Sequence, residues 1–167
     1  NNRRGNPFFK FLDRLAYSRY SVIVGITSEV LENLKKHLNF KDNNKFKIIQ
    51  NGLNLNQIQT AKPYLKTDFF DDENAKIIIQ VARFFEPKDH ITLIKSLALL
   101  PENYKLLLVG DGVLKPNSEL LVKELNLQNR VQFLGLRTDV LSLLKTADVI
   151  VLSSKYEGLS LSCIEGM

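Results

Sequence analysis

Between residues 76 and 154 the sequence alternates short runs of Ile, Leu and Val with segments of helical period, and few folds are compatible with that rhythm. The apolar runs are KIIIQVA (76–82), YKLLLVG (104–110), RVQFLG (130–135) and DVIVLSS (148–154). Between them lie DHITLIKSLALL (89–100), SELLVKELNL (118–127) and DVLSLLKTA (139–147). A strand with one wet face alternates apolar and polar residues, so near-continuous apolar runs indicate strands covered on both faces, as in a parallel sheet. Asp89 is placed to cap the first helix, whose Leu93, Ile94, Leu97 and Leu100 turn inward. The expected fold class is α/β: a doubly wound, Rossmann-like parallel sheet with flanking helices. Ligands of such sheets sit at the carboxyl ends of the strands, which directs attention to the loops after residues 82, 109, 135 and 153.

The first third of the chain has the same grammar in shorter words. FFKFLDRLAYSRY (8–20) puts Phe8, Leu12, Leu15 and Ala16 on one helical face. SVIVGI (21–26) is a strand, and Thr27 or Ser28 caps a helix carrying Val30, Leu31, Leu34 and Leu38. KFKIIQ (45–50) is a further strand ended by the turn-forming Asn51-Gly52. The weakly patterned stretch that follows, with Pro63 and the acidic Asp71, Asp72 and Glu73, reads as a linker. The expected division is 1–53, a linker at 54–75, and 76–167.

Composition matters mainly for what it removes. Of 167 residues, 44% are hydrophobic and 25% charged, ordinary for a globular chain. The single cysteine, Cys163, has no internal partner and no Cys/His spacing suggests zinc, so a reducing, cytoplasmic setting is expected. No apolar run reaches 18 residues, and the first residues lack the basic-then-apolar pattern of a secretory signal, so a soluble protein is expected. The net charge of +5 comes from Lys and Arg scattered among acids, without basic and aromatic residues interleaved, so nucleic acid is not an expected partner. The same charge suits anionic phosphates or an acidic membrane surface. Because the chain begins with Asn and ends inside what reads as a helix, it is expected to be an internal piece of a longer one.

Three loops carry candidate chemistry. In RFFEPKDH, Arg83 and Lys88 are set at a strand end, where a guanidinium and an ammonium can flank a diphosphate; a surface Arg and Lys in a connecting loop would look the same. In VGDGVLKP, Gly110 and Gly112 match the first two glycines of the dinucleotide fingerprint, but Lys115 stands where the third is wanted. These glycines turn the backbone beneath a nucleotide, or simply turn it. In KYEGLSLSCIEGM, Glu157 and Glu165 bracket Gly158, Leu159 and Ser160, with Ser160 as the expected cap. Eight residues of helix would separate the carboxylates by about 12 Å, the length of a nucleotide diphosphate sugar from hexose to ribose. A Glu near a helix start and another on a solvated face account for the spacing equally well. His90 is expected in the first turn after Asp89, His37 at the surface, and Cys163 facing the sheet without special reactivity.

Taken in order, Arg-x4-Lys, LLLVGDG, RVQFLG and ADVIVLSSKYEGLSLSCIEGM closely resemble the retaining glycosyltransferases of family 4, whose GT-B fold pairs two facing Rossmann-like domains. SVIVGITSEVLENLKK and KIIQNGLNL resemble the close of that family's N-terminal domain and the crossover into the C-terminal one. The resemblance implies a sugar transferred from a nucleotide-diphosphate sugar with retention of configuration. Arg83 and Lys88 would bind the diphosphate and stabilise its charge as the glycosidic bond breaks. Glu157, here a catalytic residue beside Arg83 and Lys88, would contact the sugar. Gly158, Leu159 and Ser160 would meet sugar and phosphates, Glu165 the ribose, Gly110 the nucleotide from below, and Gly135, Leu136 and Arg137 the base. No metal or other cofactor is implied. The implied partners are the nucleotide-sugar donor and a saccharide or lipid-linked acceptor, in surface-polysaccharide or glycoconjugate synthesis, with peripheral attachment to the inner face of a membrane. The fragment alone is expected to be inactive. A related epimerase or phosphorylase, and a non-catalytic nucleotide-binding module, are the alternatives. Gly166 departs from the Ala usual in the family at that position, at an expected cost of about 1 kcal/mol of helix propensity.

Overall fold

The computed structural model describes residues 6–40 and 44–167. Arg3 and Arg4, the one basic pair near the start of the sequence, lie outside the described residues. The chain divides into two compact units, Asn1–Gly52 and Leu53–Met167.

In the first unit, α1 (Pro7–Ser18) begins where Pro7 presets the helical φ and the Asn6 side chain accepts from Phe8 N at 2.9 Å. Strands β1 (Ile23–Gly25) and β2 (Phe46–Ile48) pair in parallel, Ile23 opposite Phe46, with α2 (Ser28–Leu38) as the crossover between them. Thr27 caps α2 by accepting from Val30 N at 3.2 Å, and Asn39 ends it in the left-handed region at φ 54°. The small core is Ile23, Leu31 and Phe46, with Tyr17, Leu34 and Phe40 against it. Gly25 lies against α2: a Cβ there would stand 2.5 Å from the Leu31 side chain, which would have to shift. The expected apolar stripe of α1 forms, but Phe8, Leu12 and Leu15 remain exposed. His37 is half-buried, its Nε2 3.6 Å from Asp13 Oδ2.

The second unit is built on one parallel sheet of order β5-β4-β3-β6, from β3 (Lys76–Val81), β4 (Tyr104–Val109), β5 (Val131–Gly135) and β6 (Val149–Ile150). Alternation along the strands sorts side chains onto two faces. Ile78, Leu106 and Leu108 join Phe84, Leu93, Ile94, Leu97 and Val122 on the side of α4 (His90–Leu97) and α5 (Lys115–Glu124). Ile77, Ile79, Leu107 and Val109 join Leu143 and Leu144 of α6 (Val140–Thr146) on the other. A sheet covered on both faces is the doubly wound arrangement that continuous apolar runs imply. The strand β6 is shorter than the expected 148–154; Asp148 N and Val151 N still bond to Ile77 O and Ile79 O at 2.8 and 2.9 Å, after which the chain leaves the sheet.

The stretch 54–75, expected as a linker, is bound into this unit. It contains α3 (Leu55–Thr60), and Phe70 and Ala75 are buried in the second core. Lys66 pairs with Asp148 at 2.7 Å and donates to Ala75 O at 2.9 Å. Burial pushes the Asp148 carboxyl up, but hydrogen bonds from Lys66 and Ile77 N outweigh it and hold the group below its ordinary value. Arg130, buried at the start of β5, donates to the carbonyls of Leu97, Leu100, Pro101 and Tyr104, ending α4 with a side chain in place of the glycine more usual after a helix.

Candidate functional site

The strand order defines where a ligand fits. From β3 the chain winds outward through β4 to β5, then returns to place β6 on the opposite side of β3. Connections leaving β3 and β6 therefore depart to opposite sides of the sheet, opening a crevice at their carboxyl ends, the switch point where open α/β sheets bind ligands. Arg83 and Lys88 follow β3; Glu157 and Glu165 follow β6.

The loop after β3 is anchored at Phe84, fully buried, whose N donates to Asp111 O at 3.0 Å. Arg83 beside it is exposed and has no ion pair or side-chain hydrogen bond among the described residues. A single 3-10 turn, Glu86–Lys88, leads into Asp89 at φ 45°, which accepts from Thr92 N at 3.3 Å and so caps α4 as expected. His90 does occupy the first turn, buried and stacked on Phe84 with ring centroids 4.0 Å apart. Burial lowers its pKa to about 4, so the ring is neutral at pH 7.

Gly110 and Gly112 adopt φ +136° and +153°, and their role is close approach. A Cβ would stand 2.1 Å from Ala82 O at Gly110 and 2.5 Å from Phe84 O at Gly112, so the loop after β4 lies directly against the loop after β3. Lys115, in place of the third fingerprint glycine, simply opens α5. Gly135, at φ +66°, accepts from Gly110 N at 2.8 Å, and Leu136 beyond it is 80% exposed. Arg137 is paired in this arrangement: its Nε donates to Asp139 Oδ1 at 2.8 Å, and a second guanidinium nitrogen and the Tyr64 hydroxyl both donate to Asp139 Oδ2. Those bonds hold the Asp139 carboxyl well below its usual range and raise the Arg137 and Tyr64 pKa values.

After β6 the chain runs back against the β3 loop, Lys155 N donating to Pro87 O at 2.8 Å. Lys88 Nζ donates to Glu157 Oε1, which also accepts from Ser154 Oγ at 2.7 Å, and Lys155 pairs with Glu86. Burial pushes the Glu157 carboxyl up; the bonds from Lys88 and Ser154 more than offset this and lower it overall. Gly158 is exposed, and Leu159 and Ser160 are half-buried. Two expectations need correction here. Ser160 sits at the start of α7 (Leu161–Glu165), but its hydroxyl caps nothing and instead meets Ser162 Oγ at 3.1 Å. And because α7 has only five residues, the path from Glu157 to Glu165 is not a continuous helical rise. Glu165 is half-buried with no ion pair or hydrogen bond from its side chain among the described residues. Cys163 is half-buried.

Two further residues organise the crevice and were passed over in the sequence: Gln80, fully buried on β3, and Ser153, following β6. The available signal was an amide in the middle of the apolar run IIIQV. Among the described residues no three His, Cys, Asp or Glu side chains gather to hold a metal, and no helix is long and apolar enough to cross a membrane.

Comparison with known proteins accords with this geometry. The family model described as Glycosyl transferases group 1 matches residues 63–167. A glycosyltransferase of Methanocaldococcus jannaschii is 31% identical over 166 residues, 96% of this chain and 38% of that protein. The Campylobacter jejuni N-acetylgalactosamine-N,N'-diacetylbacillosaminyl-diphospho-undecaprenol 4-alpha-N-acetylgalactosaminyltransferase is 30% identical over 158 residues, 95% of this chain and 42% of that protein. Among solved structures, Anabaena HepE in complex with UDP and glucose superposes with a TM-score of 0.81 at 20% identity, over 96% of this chain and 46% of that one. A glycosyltransferase from Rickettsia africae gives 0.79 at 25% identity, over 96% and 45%. The chain thus spans less than half the length of these relatives. With more than half of its residues matched by one family model, on a fold shared with those structures, the chain belongs to the group 1 glycosyl transferases.

Proposed function

We propose that residues 53–167 form the donor side of a glycosyltransferase that moves a sugar from a nucleotide-diphosphate sugar to a saccharide or lipid-linked acceptor, with retention of configuration. Residues 1–52 form the close of the acceptor-side domain. The observation that carries this reading is the meeting of Lys88 and Glu157 across the β3–β6 switch point, with Arg83 exposed and unpaired among the described residues. A cation and an acid held at one crevice match a ligand that is anionic in its middle and hydroxylated at its ends. A UDP-sugar donor is favoured by the Escherichia coli relative named UDP-Gal:alpha-D-GlcNAc-diphosphoundecaprenol alpha-1,3-galactosyltransferase, 28% identical over 94% of this chain. That name and the C. jejuni one both specify diphospho-undecaprenol acceptors, which favours a lipid-linked acceptor and work at a membrane surface.

The pairing suggests how the site responds to its substrate. Without donor, Lys88 and Glu157 neutralise one another. The diphosphate, with more charge and more oxygens, competes for Lys88, and Glu157 is released to accept from sugar hydroxyls. As the bond between the sugar C1 and the phosphate oxygen breaks, the electron pair passes to the diphosphate. Arg83, by paired hydrogen bonds, and Lys88, as a point charge, stabilise that oxygen. The acceptor hydroxyl enters on the face from which the diphosphate leaves and passes its proton to the departing diphosphate oxygen, so the anomeric configuration is kept. Gly158, Leu159 and Ser160 line the sugar and phosphate path, Glu165 takes the ribose hydroxyls, and the Gly135–Leu136 turn lies under the base. Charge stabilisation comes from the two cations, without a metal.

The test is transfer from UDP-sugars by the full-length protein. Arg83→Ala is expected to lower kcat/KM by roughly 100-fold or more, the scale of one preorganised charge-stabilising donor. Glu165→Ala is expected to weaken donor binding about tenfold, one hydrogen bond to a charged group. Undiminished transfer by both variants would remove the site assignment.

A further inference from the structure

We infer that Gln80 and Ser153 are positioning residues that aim Lys88 into the donor crevice, an inference that rests on the donor-site reading above. Gln80 points from the middle of a buried strand into the base of the β3 loop and is fully enclosed. Its Nε2 donates to Lys88 O at 3.0 Å, and its Oε1 accepts from Ser153 Oγ at 2.8 Å. The Ser153 hydroxyl also lies 2.9 Å from Lys88 O and 3.0 Å from Asp89 O, and its one proton serves one of these acceptors at a time. One amide and one hydroxyl therefore join β3, the carbonyl of the residue that carries the cation, and the end of β6.

The joint falls where the backbone most needs it. Asp89, next to Lys88, is a non-glycine residue at φ 45°, a conformation an L side chain adopts reluctantly. The turn through that residue sends the chain into α4 and leaves Lys88 facing the β6 loop. Lys88 O is a partly buried carbonyl at the bend, and its donors are the two side chains of the joint, Gln80 Nε2 and the Ser153 hydroxyl. An amide in a core of Ile and Leu adds nothing to packing that a Leu would not. What it adds is direction, since its two ends accept only one arrangement of the Lys88 carbonyl and the Ser153 hydroxyl. Lys155 N, bonded to Pro87 O, and the Glu86–Lys155 pair hold the same two loops from outside, where solvent makes an ion pair weak.

The experiment uses the full-length protein with UDP as probe, titrated calorimetrically, alongside thermal unfolding. Gln80→Leu is expected to lower UDP affinity about tenfold while the protein remains folded. Ser153→Ala provides a second, smaller change at the same joint, in case the buried substitution prevents folding, and is expected to act in the same direction. The decisive comparison is the double-substitution cycle. If Gln80 acts through Lys88, Gln80→Leu costs no more than about a further twofold once Lys88→Ala is present. An equal loss in both backgrounds means a general structural role and overturns the inference, as does wild-type affinity in Gln80→Leu and Ser153→Ala. No UDP binding by the unsubstituted protein would instead overturn the donor-site reading, and this inference with it.

Discussion

Lys88 and Glu157 are 69 residues apart in sequence and share a hydrogen bond, yet neither is unusual as a residue in its own loop. What distinguishes the residues of the crevice is the work each backbone position demands. Gly110 shows this most sharply, because its φ of +136° disfavours a side chain and a Cβ there would stand 2.1 Å from Ala82 O. Gly110→Ala is expected to cost about 2–4 kcal/mol in denaturant unfolding, with donor binding reduced because the β3 loop must move. Gly166 reverses an expectation drawn from propensity. It is the C-cap of α7 rather than an interior residue, and a methyl there would lie 1.8 Å from Ile150 Cδ1. Gly166→Ala is therefore expected to leave stability unchanged or lower it, and pairing it with Ile150→Val to recover the difference, as read from thermal midpoints. His90 carries a pH consequence. Its folded pKa of about 4 lies below the 6.5 of the unfolded chain, so between those values the unfolded state binds the proton first. Stability is complete above about pH 6.5 and falls as pH drops toward 4, by roughly 2–3 kcal/mol from this residue. Denaturant unfolding at pH 7 and pH 5 should show that loss in the wild type and less of it in His90→Phe, which keeps the stack on Phe84.

At the scale of elements, the strands and helices of residues 76–150 follow from periodicity alone, because a strand buried on both faces can be written only in apolar residues and a helix between such strands only with a 3.6 period. The ends of elements are less legible. Apolar pattern carries β6 through residue 154, since Val151 and Leu152 are as strand-like as Val149 and Ile150; in the fold the strand is Val149–Ile150, and Ser153 beyond it bonds to Gln80 and Lys88 O through its side chain. Ser160 is the expected cap because serine commonly caps, but its hydroxyl meets Ser162 Oγ at 3.1 Å instead. Arg130 shows tertiary structure ending a helix: α4 stops without a glycine because a guanidinium 33 residues beyond Leu97 takes its carbonyl. Arg130→Met is expected to destabilise the protein by about 3 kcal/mol, removing the charge-assisted bonds to the carbonyls after α4, and to speed amide exchange at the end of α4.

At the scale of the molecule, the two units differ in how much of their own stability they contain. Leu53–Met167 has a core on each face of a four-stranded sheet, whereas among the described residues of Asn1–Gly52 the buried apolar side chains are Ile23, Leu31, Leu38 and Phe46, with two short strands. A two-stranded sheet with so little apolar burial does not hold itself together in water. Expressed separately, residues 53–167 are expected to give dispersed amide spectra and cooperative unfolding, and residues 1–52 to give neither.

Local pattern and the distribution of apolar side chains were enough to read the doubly wound parallel sheet, the cap at Asp89, the loops where ligand chemistry concentrates and the residue types within them. Which of those residues meet was fixed by the assembled fold. Strand order brought β6 beside β3, and that adjacency joined Lys88 to Glu157 and turned Gln80 from an oddity in an apolar run into a brace, while folding set Tyr64 against the Arg137–Asp139 pair. The reason is physical: periodicity records which face of an element is dry, but hydrogen bonds and ion pairs between loops depend on distances that exist only after the sheet has assembled.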